Sequence, residues 1–70
     1  MSIEKHLSIT GSSTVSWKDA VIQAVNEASK TIDYLSSVKI IDQRAQIDGK
    51  KLTQYFVDLD IAFVLDRDRD

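Results

Sequence analysis

The side chains that could carry out catalysis are few and poorly placed for it. His6 is the only histidine, and the chain has no cysteine. Ser12, Ser13 and Ser16 do not have glycines on both sides, as the serine of a nucleophile elbow does. No glycine-rich phosphate loop, dinucleotide fingerprint or metal-ligand spacing accompanies them. We therefore predict that the protein is not an enzyme and that His6 is solvated or lies at an interface.

Three charged side chains could bind an ion. Asp58 and Asp60 are two residues apart, so on a strand their carboxylates share one face and could hold a hard cation such as Ca²⁺. Because Ca²⁺ takes about six to eight oxygens, symmetry-related chains would have to complete the shell. The alternative is a solvated or salt-bridged row of carboxylates. The planar guanidinium of Arg44 suits a phosphate or carboxylate, either from a ligand or from another subunit.

The composition indicates one small globular domain without a nucleic-acid or membrane partner. The chain has 70 residues, of which 43% are hydrophobic and 29% charged. Its net charge of −2 does not attract phosphate backbones or anionic membranes. No segment has the ~20 apolar residues of a membrane span, and the first residues contain no apolar signal region. We expect a cytoplasmic protein with one domain over 1–66 and a charged tail over 67–70.

The small size of the chain predicts self-assembly. A single core of this size rarely contributes more than about 3–5 kcal/mol of stability. Without cysteine, the chain cannot add a disulfide or a thiolate metal site. Contacts between identical subunits are therefore the expected further source of stability.

The clearest secondary-structure signal is a helix that begins near Ser16. Apolar residues follow at spacings of three and four, which place them on one helical face. Ser16 and Asp19 resemble a capping box, in which a hydroxyl and a carboxylate bond to free N–H groups of the first turn. The pattern predicts a helix over about residues 16 to 36. Its apolar positions are Trp17, Ala20, Val21, Ala24, Val25, Ala28, Ile32 and Leu35.

Two strands joined by a tight turn are predicted after the helix. Residues 52 to 65 alternate between apolar and polar, as a half-buried strand does. The Asp48-Gly49 pair before them is typical of a hairpin turn, because glycine readily adopts a positive φ. The partner strand is expected at about 38 to 47, with a bulge near Ile40 and Ile41 where its alternation changes phase.

The elements predict an α+β fold with the order β-α-β-β. Residues 3 to 9 alternate as a first strand, and a loop is expected from Gly11. If a right-handed crossover carries the helix over one face, the first two strands run parallel and the third lies between them, antiparallel to both. The expected three-stranded sheet has the order 1-3-2 and curls around one helix. Phe56 lies on its uncovered face, which favours cover by a partner subunit.

Several short motifs, in this order and spacing, resemble those of the dodecin family. They are Gly11-Ser12-Ser13, Ser16-Trp17, Ala28-Ser29-Lys30-Thr31, Asp48-Gly49, and Tyr55, Val57, Leu59 and Phe63 of the third strand. The resemblance spans about residues 3 to 66. It implies a small strand-helix-strand-strand protein that assembles into a hollow sphere of twelve identical subunits and, as many members do, binds flavins in pairs.

The resemblance also implies a set of ligand-binding residues. Ser37 stands where flavin-binding dodecins have a tryptophan that stacks on the ring, and Phe56 where they have a glutamine that hydrogen-bonds to the ring edge. A serine offers no large π-surface, and a phenylalanine offers no donor or acceptor. Asp42 matches an acidic residue that contacts the polyol chain, and Arg44 matches an arginine that some bacterial members place near phosphate.

Three functions remain open from the sequence. The first is storage of a flat aromatic ligand such as riboflavin or FMN in a pocket between subunits, with Phe56 supplying the stacking surface that Ser37 lacks. The second is a flavin-free dodecin, as in the calcium-containing members, whose assembly is a structural cage for Ca²⁺ or another small ligand. The third is a protein-interaction module that uses the uncovered sheet face, which a dodecamer would use on itself.

Overall fold

The computed structural model describes residues 2 to 66 and contains one helix and three strands. The elements are β1 (Ser2–Ser13), α1 (Trp17–Ser29), β2 (Leu35–Asp48) and β3 (Lys51–Asp66). The strands form one sheet in the order β1-β3-β2, with both outer strands antiparallel to β3. The predicted fold class and strand order are therefore confirmed. The tail over 67–70 lies outside the described residues, so the division into domain and tail stays a prediction.

The Ser16 hydroxyl caps the beginning of α1, as the sequence predicts, whereas the Asp19 carboxylate bonds to two side chains instead of a backbone N–H group. Ser16 is the N-cap, and its side chain accepts a hydrogen bond from the backbone N–H of Asp19 at 3.0 Å. The Asp19 carboxylate accepts from the Ser13 hydroxyl and from the Gln23 amide, each at 2.6 Å. Because Ser13 is the last residue of β1, these bonds join the end of the first strand to the first turns of the helix.

α1 ends at Ser29, so the predicted extension to residue 36 is wrong. The backbone N–H of Ile32 bonds to the carbonyl of Ala28 at 3.0 Å in the turn that closes the helix. The apolar spacing continued beyond the helix because Leu35 also packs against the core, although it does so as the first residue of β2. In the sequence, an apolar residue that reaches the core from the end of a helix looks the same as one that reaches it from the start of a strand.

Tyr34 turns the chain into β2. It adopts the left-handed conformation, with φ at +64°, and its carbonyl accepts a hydrogen bond from the backbone N–H of Val64 at 3.1 Å. The left-handed conformation costs a residue with a Cβ about 1–2 kcal/mol, because the Cβ crowds the following carbonyl oxygen. The turn therefore stores local strain.

The hairpin between β2 and β3 closes where the sequence predicts. Gly49 has φ at +68°, and Asp48 pairs with Lys51 across the turn. The register of β2 shifts between Ile40 and Asp42, which confirms the predicted bulge. Two more register shifts lie near the ends of β2, between Leu35 and Ser37 and between Gln46 and Ile47.

The core lies between α1 and one face of the sheet. Val57, Leu59 and Ile61 of β3 are at most 1% exposed, and Ala20 and Ala24 of the helix pack against them. Alanines on the buried face of the helix bring its backbone close to the sheet. Among the described residues, no helix has the length and apolar character that a bilayer crossing requires.

Gly11 permits the close approach of helix and sheet. A Cβ at this position would lie 2.8 Å from the carbonyl oxygen of Ala20 and 2.8 Å from the Cβ of Ala24. The expectation that a loop begins at Gly11 is wrong, because β1 continues to Ser13 and pairs with β3 throughout. The glycine is needed here for space and not for a turn.

Candidate functional site

The sheet face opposite α1, called here the open face, carries all four sequence-predicted ligand residues. Side chains that face one another across antiparallel strands point to the same side of the sheet. The cross-strand groups of the open face are His6, Ala62 and Ser37; Ser8, Asp60 and Lys39; Thr10, Asp58 and Asp42; and Ser12, Phe56 and Arg44. The register thus orders these residues along the sheet.

Arg44 is the centre of a contact cluster on the open face. Its guanidinium carbon lies 5.0 Å from the centroid of the Phe56 ring, within cation–π range. Its Nη2 and Nε donate to the two carboxylate oxygens of Asp58 at 3.2 and 3.4 Å. The Thr10 hydroxyl donates to Asp58 at 2.8 Å. The hydrogen bonds from Arg44 and then Thr10 hold the pKa of the Asp58 carboxyl below its usual value.

Asp42 extends this cluster along β2. It lies directly opposite Asp58, and its carboxylate accepts a hydrogen bond from the backbone N–H of Gln43 at 2.9 Å. Arg44, two residues further along the same strand, carries the positive charge that offsets these two carboxylates. The structure therefore brings Asp42, Arg44 and Phe56 together as one polar wall with an aromatic surface.

Ser37 lies apart from the other three predicted ligand residues. It pairs with Ala62, which is six positions along β3 from Phe56. That separation is roughly 20 Å at the rise of an extended strand. Within a single chain, Ser37 and Phe56 cannot both contact one ligand ring. A pocket that contains both requires a second subunit.

His6 bonds to one carboxylate that is near it in the sequence and to one that is distant. Its Nδ1 lies 2.7 Å from an oxygen of Asp60, and its Nε2 lies 2.9 Å from an oxygen of Glu4. The hydrogen bond with Asp60 is the largest cause that raises the pKa of His6 above its usual value. Asp60 is 54 residues away in the chain, so only the strand register could have indicated this contact.

The two carboxylates that could hold a cation are both occupied within the chain. Asp58 binds Arg44 and Thr10, and Asp60 binds His6. This is the salt-bridged row that the sequence left open as the alternative. Within residues 2 to 66, no group of three or more His, Asp or Glu side chains could hold a metal ion. The contribution of symmetry-related chains to such a site stays a prediction.

Trp17 supports the ligand-residue cluster from behind. Its ring packs edge-to-face on Tyr55, with centroids 4.8 Å apart and planes at 72°. Its indole Nε1 donates to the backbone carbonyl of Arg44 at 3.0 Å. The predicted packing role of Trp17 fits these contacts, which join the start of α1 to the strand that carries Arg44.

A second surface of the chain is apolar and exposed. Ile22 of α1 and Ile40 of β2 are each about half exposed, at 48% and 49%. With Trp17 and Val21 they line a groove of about 410 Å³ between the helix and β2. Ile47 and Leu52, near the tip of the hairpin, are also exposed. This amount of exposed apolar surface on a small domain is typical of a protein that associates with other subunits.

Comparison with known proteins gives one consistent result. A model of the family described as Dodecin matches residues 3–66. A calcium dodecin of Mycobacterium tuberculosis (strain ATCC 25618 / H37Rv) is 30% identical over 63 residues, which are 90% of this chain and 89% of that protein. A crystal structure of calcium dodecin from the same species has a TM-score of 0.79 at 26% identity, covering 97% of each chain. A dodecin variant of T. thermophilus has the same fold, with a TM-score of 0.90 at 24% identity, covering 96% of this chain and all of that one.

Proposed function

The chain belongs to the dodecin family, and from that premise we propose that it is a non-catalytic homododecamer that binds and stores a small flat aromatic ligand of the flavin type. The observation that carries the proposal is the cluster of Asp42, Arg44 and Phe56 on the open face. Such a cluster offers donors, acceptors and a π-surface to one ligand. Enclosing a flavin limits its photochemistry and buffers its free concentration.

The residues of the cluster fit different parts of riboflavin or FMN. The Asp42 carboxylate can accept hydrogen bonds from the hydroxyl groups of a polyol chain. The Arg44 guanidinium suits a phosphate, which would compete with Asp58 for its N–H groups. One face of the Phe56 ring is already covered by this guanidinium, so the ring offers its remaining surface to a ligand.

The separation of Ser37 from Phe56 supports a pocket formed between subunits. Because about 20 Å of strand lies between them, one chain supplies either the Ser37 wall or the Phe56 wall to a given ligand. The exposed apolar groove between α1 and β2 supports the assembly that this arrangement requires. The cytoplasmic location, and the absence of nucleic-acid and membrane partners, stay predictions from the sequence.

Native mass spectrometry with and without added riboflavin or FMN tests the proposal. Twelve subunits of 7.9 kDa give a mass of about 95 kDa, which we expect to rise in flavin-sized steps. The same mass without flavin uptake contradicts ligand storage of this kind. A mass near that of one subunit contradicts the assembly and favours a protein-interaction module.

A Ser37→Trp variant tests whether Ser37 lines the ligand pocket. A tryptophan there adds the large π-surface that serine lacks, so we expect flavin binding to tighten by about tenfold or more. Titration of riboflavin fluorescence measures the change, and Ser8→Trp, on the same sheet face, is the matched control. Equal binding by the two variants would show that Ser37 does not line the pocket.

A cage that binds cations is the second candidate. The 30% identity to a calcium dodecin favours it specifically. Asp58 and Asp60 of the open face would have to exchange their bonds to Arg44, Thr10 and His6 for the cation. Titration calorimetry of the chelator-treated protein with Ca²⁺ distinguishes the candidates. Heat of Ca²⁺ binding that the wild type shows and an Asp60→Asn variant lacks would favour the cage, provided that the wild type takes up no flavin. Asp33→Asn, which lies outside the open face, is the control.

A further inference from the structure

The Asp58 carboxylate occupies the edge of Arg44 that an anionic ligand would need. A guanidinium binds a phosphate most strongly through two parallel N–H donors. In this chain Nε and Nη2 of Arg44 already donate to the two oxygens of Asp58, at 3.4 and 3.2 Å. The guanidinium also lies over the Phe56 ring, with its carbon 5.0 Å from the ring centroid. Arg44 therefore has an internal anion in the place of a phosphate.

A second donor holds the Asp58 carboxylate in this position. The Thr10 hydroxyl donates to it at 2.8 Å from the neighbouring strand. The bonds from Arg44 and then Thr10 lower the pKa of Asp58, so this carboxyl is charged at neutral pH. The Asp58 side chain is 32% exposed, and with Ser8 and Thr10 it lines a shallow pocket of about 340 Å³ on the open face. A ligand in that pocket meets a charged carboxylate.

The charge around Arg44 is negative. Asp42 lies opposite Asp58 in the register, so two carboxylates lie near one guanidinium. The next cross-strand pair, Lys39 and Asp60, adds no net charge. A phosphate monoester brings about −1.5 to −2 further charges at pH 7. It would have to displace Asp58 from Arg44, which leaves that carboxylate without a cation, or share the guanidinium with it. Both arrangements disfavour a phosphate.

We infer that Asp58 is a specificity-determining residue, whose bond to Arg44 makes the site favour an uncharged planar ligand such as riboflavin over its phosphorylated form, FMN. The inference rests on the proposed function and names the chemical class of the preferred ligand. Hydroxyl groups of an uncharged polyol chain can donate to Asp42 and Asp58 without displacing Arg44, because a carboxylate has about four acceptor sites. Without the Asp58 charge, the guanidinium becomes available to a phosphate.

An Asp58→Asn variant tests this role. The amide keeps the shape of the side chain and an oxygen that can accept from Thr10, but it removes the charge that holds Arg44. We expect the wild type to bind riboflavin about tenfold or more tightly than FMN, and the variant to lower this ratio by about tenfold or more. Fluorescence titration with each flavin measures the ratio, and native mass spectrometry checks that the variant keeps its assembly.

Two further variants distinguish the release of Arg44 from a general effect of charge. Asp60→Asn removes a carboxylate from the same sheet face, but one that is bonded to His6, so the ratio should change by less than about threefold. Adding Arg44→Gln to Asp58→Asn should abolish the gain in FMN affinity, because no guanidinium remains to bind the phosphate. An equal change of the ratio in Asp58→Asn and Asp60→Asn would contradict the inference.

The outcomes separate the inference from the proposed function. If the wild type takes up flavin but binds FMN as tightly as riboflavin, or if Asp58→Asn leaves the ratio unchanged, the inference is wrong and the proposed function stands. If the wild type takes up neither flavin, both are wrong. The wild-type ratio requires no variant, so the inference can be tested even if Asp58→Asn does not assemble. A shift toward FMN in Asp58→Asn supports the inference, because a merely structural defect would weaken the binding of both flavins.

Discussion

The protonation of two side chains on the open face depends on partners from distant parts of the sequence. The bond to Asp60 raises the pKa of His6, so the stability that it contributes is present below the ordinary pKa of 6.5. That stability is lost as the pH rises through the raised value. The stability that Asp58 contributes has the opposite pH dependence. It is present above the ordinary pKa of 3.8 and is lost as the pH falls through the lowered pKa of this carboxyl.

We predict that a His6→Gln variant loses part of the pH dependence of folding. In the wild type, the melting temperature should fall as the pH rises through the pKa of His6, because the charged imidazole then loses its attraction to Asp60 and Glu4. The variant has no proton to lose in this range. Melting temperatures measured from pH 5 to pH 9 test this, and Lys5→Gln, which alters a neighbour on the other face, should keep the wild-type profile. Identical profiles for wild type and His6→Gln would contradict it.

The sequence identified some residues of the site and not their partners. Asp42, Arg44 and Phe56 were named from a resemblance, and the structure brings them together on the open face. Thr10 was not named, since its bond to Asp58 joins residues 48 positions apart and follows only from the register of β1 on β3.

At the scale of elements, the close contact between α1 and the sheet depends on the absence of a Cβ at Gly11. We predict that Gly11→Ala destabilises the fold by about 1–3 kcal/mol, because the new Cβ forces the helix backbone away from the sheet. The neighbouring Ser12→Ala, on the open face, should change stability by less than about 0.5 kcal/mol. Urea unfolding of both variants measures the difference. Equal stability of the two would contradict the close packing at Gly11.

Element order was more predictable than element ends. Apolar spacing, the cap at Ser16 and the Asp48-Gly49 turn indicate which segments are helix and strand. Together with the right-handed crossover rule, these local signals predict the β1-β3-β2 order. The end of α1 was placed too late because Leu35 faces the same core from a strand. The end of β1 was placed too early because a glycine required for close packing resembles one required for a turn.

At the scale of the whole molecule, a small core accompanies a large exposed apolar surface. Six hydrophobic residues are buried, whereas ten large hydrophobic residues are exposed in the single chain, as counted within the described residues. The molecule is also elongated, with a longest dimension of 57 Å and a width of 19 Å. A core this small contributes only marginal stability to a single chain.

We predict that the melting temperature rises with protein concentration. Unfolding of an assembly whose subunits are marginal alone is coupled to dissociation, so mass action stabilises the concentrated sample. Scanning calorimetry over a hundredfold range of concentration measures the effect. A sample whose subunits have been chemically cross-linked should lose it. A melting temperature that does not change with concentration in the uncross-linked sample would contradict the coupling.

The position of β3 at the centre of the sheet has a consequence for synthesis of the chain. β1 and β2 each pair with β3 and not with each other, and β3 follows both along the chain. While a ribosome makes the protein in order, the first strand has no pairing partner until residues 55 to 66 have been made. Closure of the sheet is therefore a late event in biosynthesis, and the waiting edges of β1 and β2 are the segments that a chaperone would have to shield.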